Sequence, residues 1–381
     1  MRVALAGVGR MGAAIAARLR AAGHRLKLYD PALPPGGEVA PSLAAAASRS
    51  VITFLCLPDA AAVQASLPGL KDAAPPMVID LTSSLPATTR RMAAALAPLG
   101  VDYLDCPLSG GVAGARAGTL TAMAGGDPEL VERARPVLTA FASYVRWAGP
   151  LGSGHATKAL NNALSAVSLT GTAEMLVTAA AYGADEASVI EAFNRGPARS
   201  QNSEVKYPRD VLPRTYAAGF TAGLMEKDLG NALRIAQDRA TPVPLLAGAA
   251  EVWHEATAVM GPDADFTRVH EVIEARAARR REPAEAFSVA ILTNALASLN
   301  LLAASEVMRV AVAEGLDRDR VLAIINTSTG RSEATRSRLA GDLDAASLAV
   351  AHDLADQAGV WAPLTALAVR LLVTPAPGGT V

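Results

Sequence analysis

The first thirty residues constrain the fold more than any other stretch. Arg2-Val3-Ala4-Leu5-Ala6 reads as a buried strand, and Gly7-Val8-Gly9-Arg10-Met11-Gly12 follows it at once. A helical run, Ala13–Ala22, comes next, then a second strand, Arg25–Tyr29, ended by Asp30. A G-x-G-x-x-G between a strand and a helix has a specific physical reading. The first glycine permits the tight turn. The second lets a pyrophosphate approach the backbone, and the third lets helix and strand pack closely. The phosphates then sit on the helix N-terminus. Asp30, eighteen residues after Gly12, can accept hydrogen bonds from adenosine ribose hydroxyls and repels a 2′-phosphate. No arginine follows it closely, so NAD is expected in preference to NADP.

Further strand–helix units support a doubly wound parallel sheet. Ser50–Leu57 runs into Pro58-Asp59, and Met77–Leu81 runs into Thr82-Ser83-Ser84. Residues such as Leu57, Pro58 and Thr82 fall on the carboxyl edge of such a sheet, where ligands bind. Later, Ser109 precedes four glycines between positions 110 and 118, ahead of the strand Thr119–Ala124. Ser109 with the N–H groups of Gly110 and Gly111 could form a small anion nest suited to a carboxylate. An ordinary, mobile glycine-rich loop is the plainer alternative.

After Gly149-Pro150 the β pattern stops and long alanine-rich helices begin. Gly152-Ser153-Gly154-His155-Ala156-Thr157-Lys158-Ala159-Leu160-Asn161-Asn162 opens the first of them. Lys158 and Asn162 are four apart and share a helix face, with Asn161 on its flank. An amine beside two amides can hold a hydroxyl and move its proton, although a lysine at a helix start also snorkels. His155 reads as a structural hydrogen-bonder, because the five histidines are scattered. With no Cys/His cluster either, no metal is expected.

These segments resemble the β-hydroxyacid dehydrogenase family, the group of 3-hydroxyisobutyrate dehydrogenase and tartronate semialdehyde reductase. The family's G-x-G-x-M-G is Gly7 to Gly12, and D-x-P-x-S-G-G-x-x-x-A-x-x-G-T-L runs from Asp105 to Leu120. G-x-G-x-x-x-K-x-x-N-N runs from Gly152 to Asn162, and F-x-x-x-L-x-x-K-D-L runs from Phe220 to Leu229. The resemblance implies that Lys158 is the catalytic proton carrier and that Asn162 orients the substrate beside it. It implies that Ser109, Gly110 and Gly111 hold the substrate carboxylate. Lys227 would close over substrate and cofactor, with Asp228 behind it. Asn161 belongs with the substrate-binding set, and Thr82 falls at the family's cofactor-contacting serine, with Asp80 as its aspartate. The implied activity is NAD(P)-dependent interconversion of a small 3-hydroxy acid and its semialdehyde or keto acid. The alternatives are a 6-phosphogluconate-dehydrogenase-like oxidative decarboxylase and a retired nucleotide-binding scaffold.

The resemblance ends near residue 275, about a hundred residues short of the C-terminus, and a repeat fills the remainder. Shifting by 132 aligns Leu160–Ser200 with Leu292–Ser332 without a gap, with 14 identities in 41 positions, among them Asn162/Asn294, Glu174/Glu306, Gly183/Gly315, Asp185/Asp317 and Ser200/Ser332. Pro244-Leu245 further matches Pro363-Leu364. In the second copy Ala290 stands opposite Lys158 and Thr293 opposite Asn161, so that copy has lost the chemistry. The expected organisation is an N-terminal Rossmann domain over 1–154, a helical catalytic domain over 155–282, a structural duplicate over 283–373 and a flexible tail over 374–381. The duplicate is expected to pack as a dimer partner's domain would, giving a monomer built as an intramolecular pseudo-dimer, or a weak homodimer. Arg276, Arg279, Arg280 and Arg281 ahead of Glu282-Pro283 read as a solvated helix end and linker.

Composition narrows the remaining classes. Net charge is −1 and aromatics are 4%, which leaves neither a basic face nor a stacking platform for nucleic acid. Phe287–Ala304 is long and uncharged, but a buried core helix is the expected reading and no membrane partner is foreseen. Met1–Leu19 is interrupted by Arg10, which argues against a signal peptide. Two cysteines build no disulfide framework, and a cytoplasmic location is expected.

Overall fold

The computed structural model describes residues 1–277 and 287–373. The Arg279–Arg281 cluster with Glu282-Pro283, and the tail Thr374–Val381, lie outside the described residues.

Eight strands form one sheet: β1 (Arg2–Ala6), β2 (Arg25–Tyr29), β3 (Ile52–Leu55), β4 (Met77–Asp80), β5 (Asp102–Asp105), β6 (Leu108–Ser109), β7 (Leu120–Gly125) and β8 (Ala142–Gly149). Their order is β2-β1-β3-β4-β5-β7-β6, with β8 on the other side of β7. The first five are parallel, as the alternation of strands and helices requires. The far end adds antiparallel pairing to the expected doubly wound parallel sheet. β7 runs antiparallel to β5 and β6, because the chain turns back between β6 and β7. Helices α1 (Arg10–Ala21), α2 (Leu43–Ala47), α3 (Ala60–Ala65), α4 (Leu67–Ala73), α5 (Pro86–Leu96), α6 (Gly111–Ala117) and α7 (Pro128–Leu138) connect the strands. β1, β3 and β4 consist almost wholly of buried residues, and Val3, Leu5, Phe54 and Ile79 face a core shared with Ile15 and Leu19 of α1. Strand register places Tyr29, Ala6, Leu55, Asp80 and Asp105 in one row at the carboxyl edge.

The helical part comprises α8 (Ser153–Ala181), α9 (Glu186–Arg195), a π-helical stretch Asn202–Val211, α10 (Ala222–Asp238), α11 (Pro244–Met260), α12 (Val269–Ala275), α13 (Val289–Ala313), α14 (Arg318–Ile325), α15 (Glu333–Arg336), α16 (Ala345–Gln357) and α17 (Pro363–Val373). Asp185 and Asp317 occupy equivalent places in the two copies, and each caps the next helix through its side chain.

The chain divides into two compact units that do not coincide with the repeated sequence blocks. One is Met1–Ala159 with Glu314–Ser328; the other is Leu160–Ala313 with Thr329–Val381. The second copy thus lends α14 to the sheet. Arg320 lies over the Trp147 ring of β8, Ile324 packs on Met123 and Ala148, and Thr121 donates to the carbonyl of Thr327. The division falls within α8.

Inside the second unit the copies exchange contacts reciprocally. Glu174 of α8 accepts from Leu364 N, Thr365 N and the Thr365 hydroxyl at the start of α17. Its counterpart Glu306 of α13 accepts from Leu245 N and Leu246 N at the start of α11. Ser200 pairs with Ser332, its own equivalent; Gln201 N donates to Arg331 O, and Glu333 N donates to Arg199 O. Each buried glutamate thus caps a helix of the other copy. α8 and α13 are both long and apolar enough to cross a membrane by composition. Their most apolar windows are 94% and 67% buried, as core helices are. A Cβ at Gly171 of α8 would lie 3.1 Å from Leu296 of α13, so the helices pack closely there.

Candidate active site

The glycine turn after β1 has the geometry its pattern requires. Gly7 has φ +89°, and a Cβ there would fall 2.1 Å from the carbonyl oxygen of Cys56. A Cβ on Gly12 would fall 2.0 Å from the Gly7 carbonyl, so α1 is seated against the turn as only glycine allows. Around Gly9 a Cβ would meet nothing within 4 Å, leaving room for a ligand on the backbone. α1 starts at Arg10 rather than Ala13, with no side-chain cap and no acid in its first turn. Its free N–H groups therefore suit an anion. Arg10 is exposed and Met11 half-buried beside them. The residues present fit a dinucleotide.

Asp30 stands at the end of β2. One carboxylate oxygen accepts from Val8 N at 2.7 Å, inside the glycine turn, and the other from Ala32 N at 3.0 Å. Leu57 and Pro58 follow β3, the strand on the other side of β1, at the point where the direction of winding reverses. Leu57 N donates to the Thr82 hydroxyl at 3.1 Å, and Thr82 N to Asp80 Oδ1 at 3.0 Å. Asp80 thus ties the ends of β3 and β4 together. It is fully buried; burial pushes its pKa up, while His155 and the Thr82 hydrogen bonds oppose that. Tyr103 donates to its second oxygen at 3.2 Å.

A second buried carboxylate fixes the start of α8. Asp105 accepts from Gly152 N at 2.7 Å and from His155 N at 2.8 Å. A negative charge at this helix N-terminus is favourable. The closeness is such that a Cβ at Gly154 would meet Asp105 Oδ2 at 2.8 Å and Met123 O at 2.2 Å. The glycines before Lys158 therefore serve helix seating. His155 is structural, with Nδ1 2.6 Å from the Thr89 hydroxyl and Nε2 3.8 Å from Asp80. Lys158 follows one turn later and is buried, 7% exposed. Sequence reading named Asp80 and Asp105 only as motif members. Their places at adjacent strand ends were the available signal, yet which N–H groups they hold depends on tertiary structure.

Ser109 is buried in β6, and Gly110 (φ +124°) and Gly111 (φ +66°) both lie at positive φ. The segment beyond them is not a mobile loop: Gly111–Ala117 is helical, with Ala115 buried and Gly118 closing it in the left-handed region. Glycine spacing obscured this helix.

Within the second unit Asn161, Asn162, Lys227 and Asp228 come together. Asn161 Nδ2 donates to Asn162 Oδ1 at 3.0 Å, Asn162 Nδ2 to Asp228 Oδ2 at 2.5 Å, and Lys227 Nζ lies 3.3 Å from Asp228 Oδ1. Both asparagines are buried. The structure adds two residues that sequence reading missed. Asn161 Nδ2 also donates to the Thr329 hydroxyl, and Gly330 N donates to Asn161 Oδ1, both at 2.9 Å. Asn294, the counterpart of Asn162, likewise donates to an aspartate, Asp344, at 3.2 Å. No lysine precedes it.

One cluster elsewhere, among the described residues, groups Glu186, His270 and Glu274 with ligand atoms within 4.8 Å. Arg214 already bonds Glu274 at 2.7 and 2.8 Å and lies 3.7 Å from Glu186, so a guanidinium takes the cation's place. Cys56 and Cys106 are both free; burial pushes Cys56 up to about 12 and Cys106 higher still.

A family profile described as the NAD binding domain of 6-phosphogluconate dehydrogenase matches residues 2–149. A second, described as NAD-binding of NADP-dependent 3-hydroxyisobutyrate dehydrogenase, matches twice, over 152–273 and 285–379. The chain is 32% identical to the 2-hydroxy-3-oxopropionate reductase of Escherichia coli, over 72% of this chain and 97% of that protein. The solved structure of Mycobacterium tuberculosis 3-hydroxyisobutyrate dehydrogenase with L-serine is 31% identical, with a TM-score of 0.66 over 71% of this chain and 98% of that one. Plasmodium falciparum 6-phosphogluconate dehydrogenase is 16% identical with a TM-score of 0.70, and shares the fold over 99% of this chain and 93% of its own. With its four motifs in order and its helical domain matched twice, the chain belongs to the β-hydroxyacid dehydrogenase family of NAD(P)-dependent oxidoreductases.

Proposed function

We propose that the protein oxidises a small 3-hydroxy acid reversibly to its semialdehyde or keto acid, with Lys158 taking the hydroxyl proton and NAD as the preferred cofactor. The observation that carries the reading is the buried Lys158 amine on a helix start clamped by Asp105. The relatives add support: their names and the bound L-serine share a short acid oxidised or oxidisable beside the carboxylate-bearing carbon.

When bound, the nicotinamide accepts the hydride. Lys158 acts as general base on the alcohol and, in reverse, returns the proton to the developing alkoxide. Ser109 with the N–H groups of Gly110 and Gly111 holds the carboxylate, since the N–H groups that open α6 have no intrahelical acceptor. Asn162, one turn beyond Lys158, orients the substrate, and Asn161 steadies its amide. Lys227 contributes a second positive charge toward the acid and the cofactor, with Asp228 holding its amine. Gly7, Val8, Gly9, Arg10, Met11 and Gly12 with Leu57, Pro58 and Thr82 would hold the dinucleotide. The Asp30 carboxylate accepts two backbone hydrogen bonds, which leaves lone pairs for a ribose hydroxyl. Its charge opposes a 2′-phosphate. The reciprocal caps between the copies support a monomer in which the second copy stands in for a dimer partner. The buried thiols accord with a cytoplasmic setting.

A panel of 3-hydroxy acids and their semialdehydes, followed by reduced-cofactor absorbance with NAD and with NADP, tests the reading. Turnover of at least one acid with a higher kcat/KM for NAD is expected. Preference for NADP would overturn the role given to Asp30.

A further inference from the structure

The second copy has lost the amine, but it differs from the first at one place where loss is not the explanation. Positions 329 and 330 are Thr-Gly; the equivalent positions of the first copy, 132 residues earlier, are Pro197 and Ala198. Pro197 has no hydroxyl, and Ala198 carries the Cβ that position 330 lacks. Thr329 and Gly330 supply both a hydroxyl and an N–H, and Asn161 takes both.

The Asn161 side chain is 0% exposed by residue and makes three hydrogen bonds. The Gly330 N–H can be satisfied only by an oxygen, so it fixes which end of the Asn161 amide is Oδ1. Nδ2 must then face Thr329 and Asn162. Because Asn161 donates to Asn162 Oδ1, the Asn162 amide is oriented in turn, with Nδ2 on Asp228. Asp228 holds the Lys227 ammonium with its other oxygen. The direction of every amide in this row is thereby set from its far end. Position 330 also admits no side chain: a Cβ would lie 2.4 Å from the backbone oxygen of Asn161 and 2.9 Å from its Oδ1.

We propose that Thr329 and Gly330 of the second helical copy are positioning residues for the reaction, fixing the Asn161 amide and through it the orientation of Asn162 and the placement of Lys227. The duplicated domain is then part of the catalytic apparatus as well as of the packing. This rests on the assignment of Asn162 and Lys227 to the substrate.

Thr329→Val keeps the shape and removes the acceptor. It is expected to lower kcat/KM for the hydroxy acid by roughly three- to tenfold, the worth of one buried hydrogen bond. The cofactor KM and the melting temperature should stay near wild type. Thr329→Ser should restore the rate. Asn161→Ala should abolish the effect, the double variant matching Asn161→Ala alone. Gly330→Ala is expected to lower the rate further than Thr329→Val. A Thr329→Val enzyme equal to wild type would overturn the inference, leaving the functional reading intact. So would a Thr329→Ser enzyme as impaired as Thr329→Val, with cofactor KM and melting temperature shifted alike, since that marks a structural role. Wild-type protein inert toward every hydroxy acid would remove the functional reading, and this inference with it.

Discussion

Gly9 and Gly12 show how one residue type carries two separate requirements. A methyl group on Gly12 collides with the Gly7 carbonyl, whereas one on Gly9 projects into open space. Gly12→Ala is expected to destabilise the fold by about 1–3 kcal/mol, as overpacking does, and to lose cofactor affinity. Gly9→Ala should leave the melting temperature close to wild type and weaken NADH binding at least about tenfold, because the pyrophosphate approach is blocked. Thermal unfolding with a fluorescence titration of NADH separates the two; equal behaviour of the variants would contradict the division. These glycines, Asp30, Lys158 and the paired asparagines could be read from sequence because spacing alone places them on a turn or a helix face. Asp80, Asp105, Thr329 and Gly330 could not. Their partners lie 2 to 169 residues away, and the bonds that matter most are the distant ones.

At the scale of elements, the swapped helix caps are the most telling device. Glu174 and Glu306 were visible as a matched pair in the repeat, but nothing local shows that each caps a helix of the other copy. Burial pushes Glu174 up to about 7 against the hydrogen bonds it accepts from Thr365 and Leu364. A carboxyl raised in the fold stabilises fully below its unfolded value near 4.5 and loses that contribution as pH rises through 7. His270, pushed down to about 4 chiefly by burial, acts oppositely: its contribution is present above 6.5 and fades as pH falls toward 4. The difference in stability between wild type and Glu174→Gln isolates the first effect. Urea unfolding at pH 5 to 8 should show wild type losing ground to the variant as pH rises. A pH-independent difference would contradict this. The helix α6 and the early start of α1 were hidden for a different reason. Glycine and the charged Arg10 mask helical periodicity, and tertiary seating overrides weak propensity.

For the whole molecule, the strand–helix alternation and the 132-residue repeat made both halves of the architecture legible. The transfer of α14 to the sheet was not, because it depends on the Arg320–Trp147 and Ile324–Met123 contacts. The reciprocal caps bury the face of α8 and α11 against the duplicate, so light scattering on the eluted protein is expected to give a mass near 39.0 kDa. A stable species of twice that mass would count against the duplicate as a built-in partner. The central claim is chemical, and turnover by Lys158→Ala tests it most directly, measured on the best acid of the panel alongside an NADH titration. The variant should bind cofactor as wild type does and lose kcat by about 10²- to 10⁴-fold, the usual contribution of a positioned proton carrier. Undiminished kcat would show that another group moves the proton.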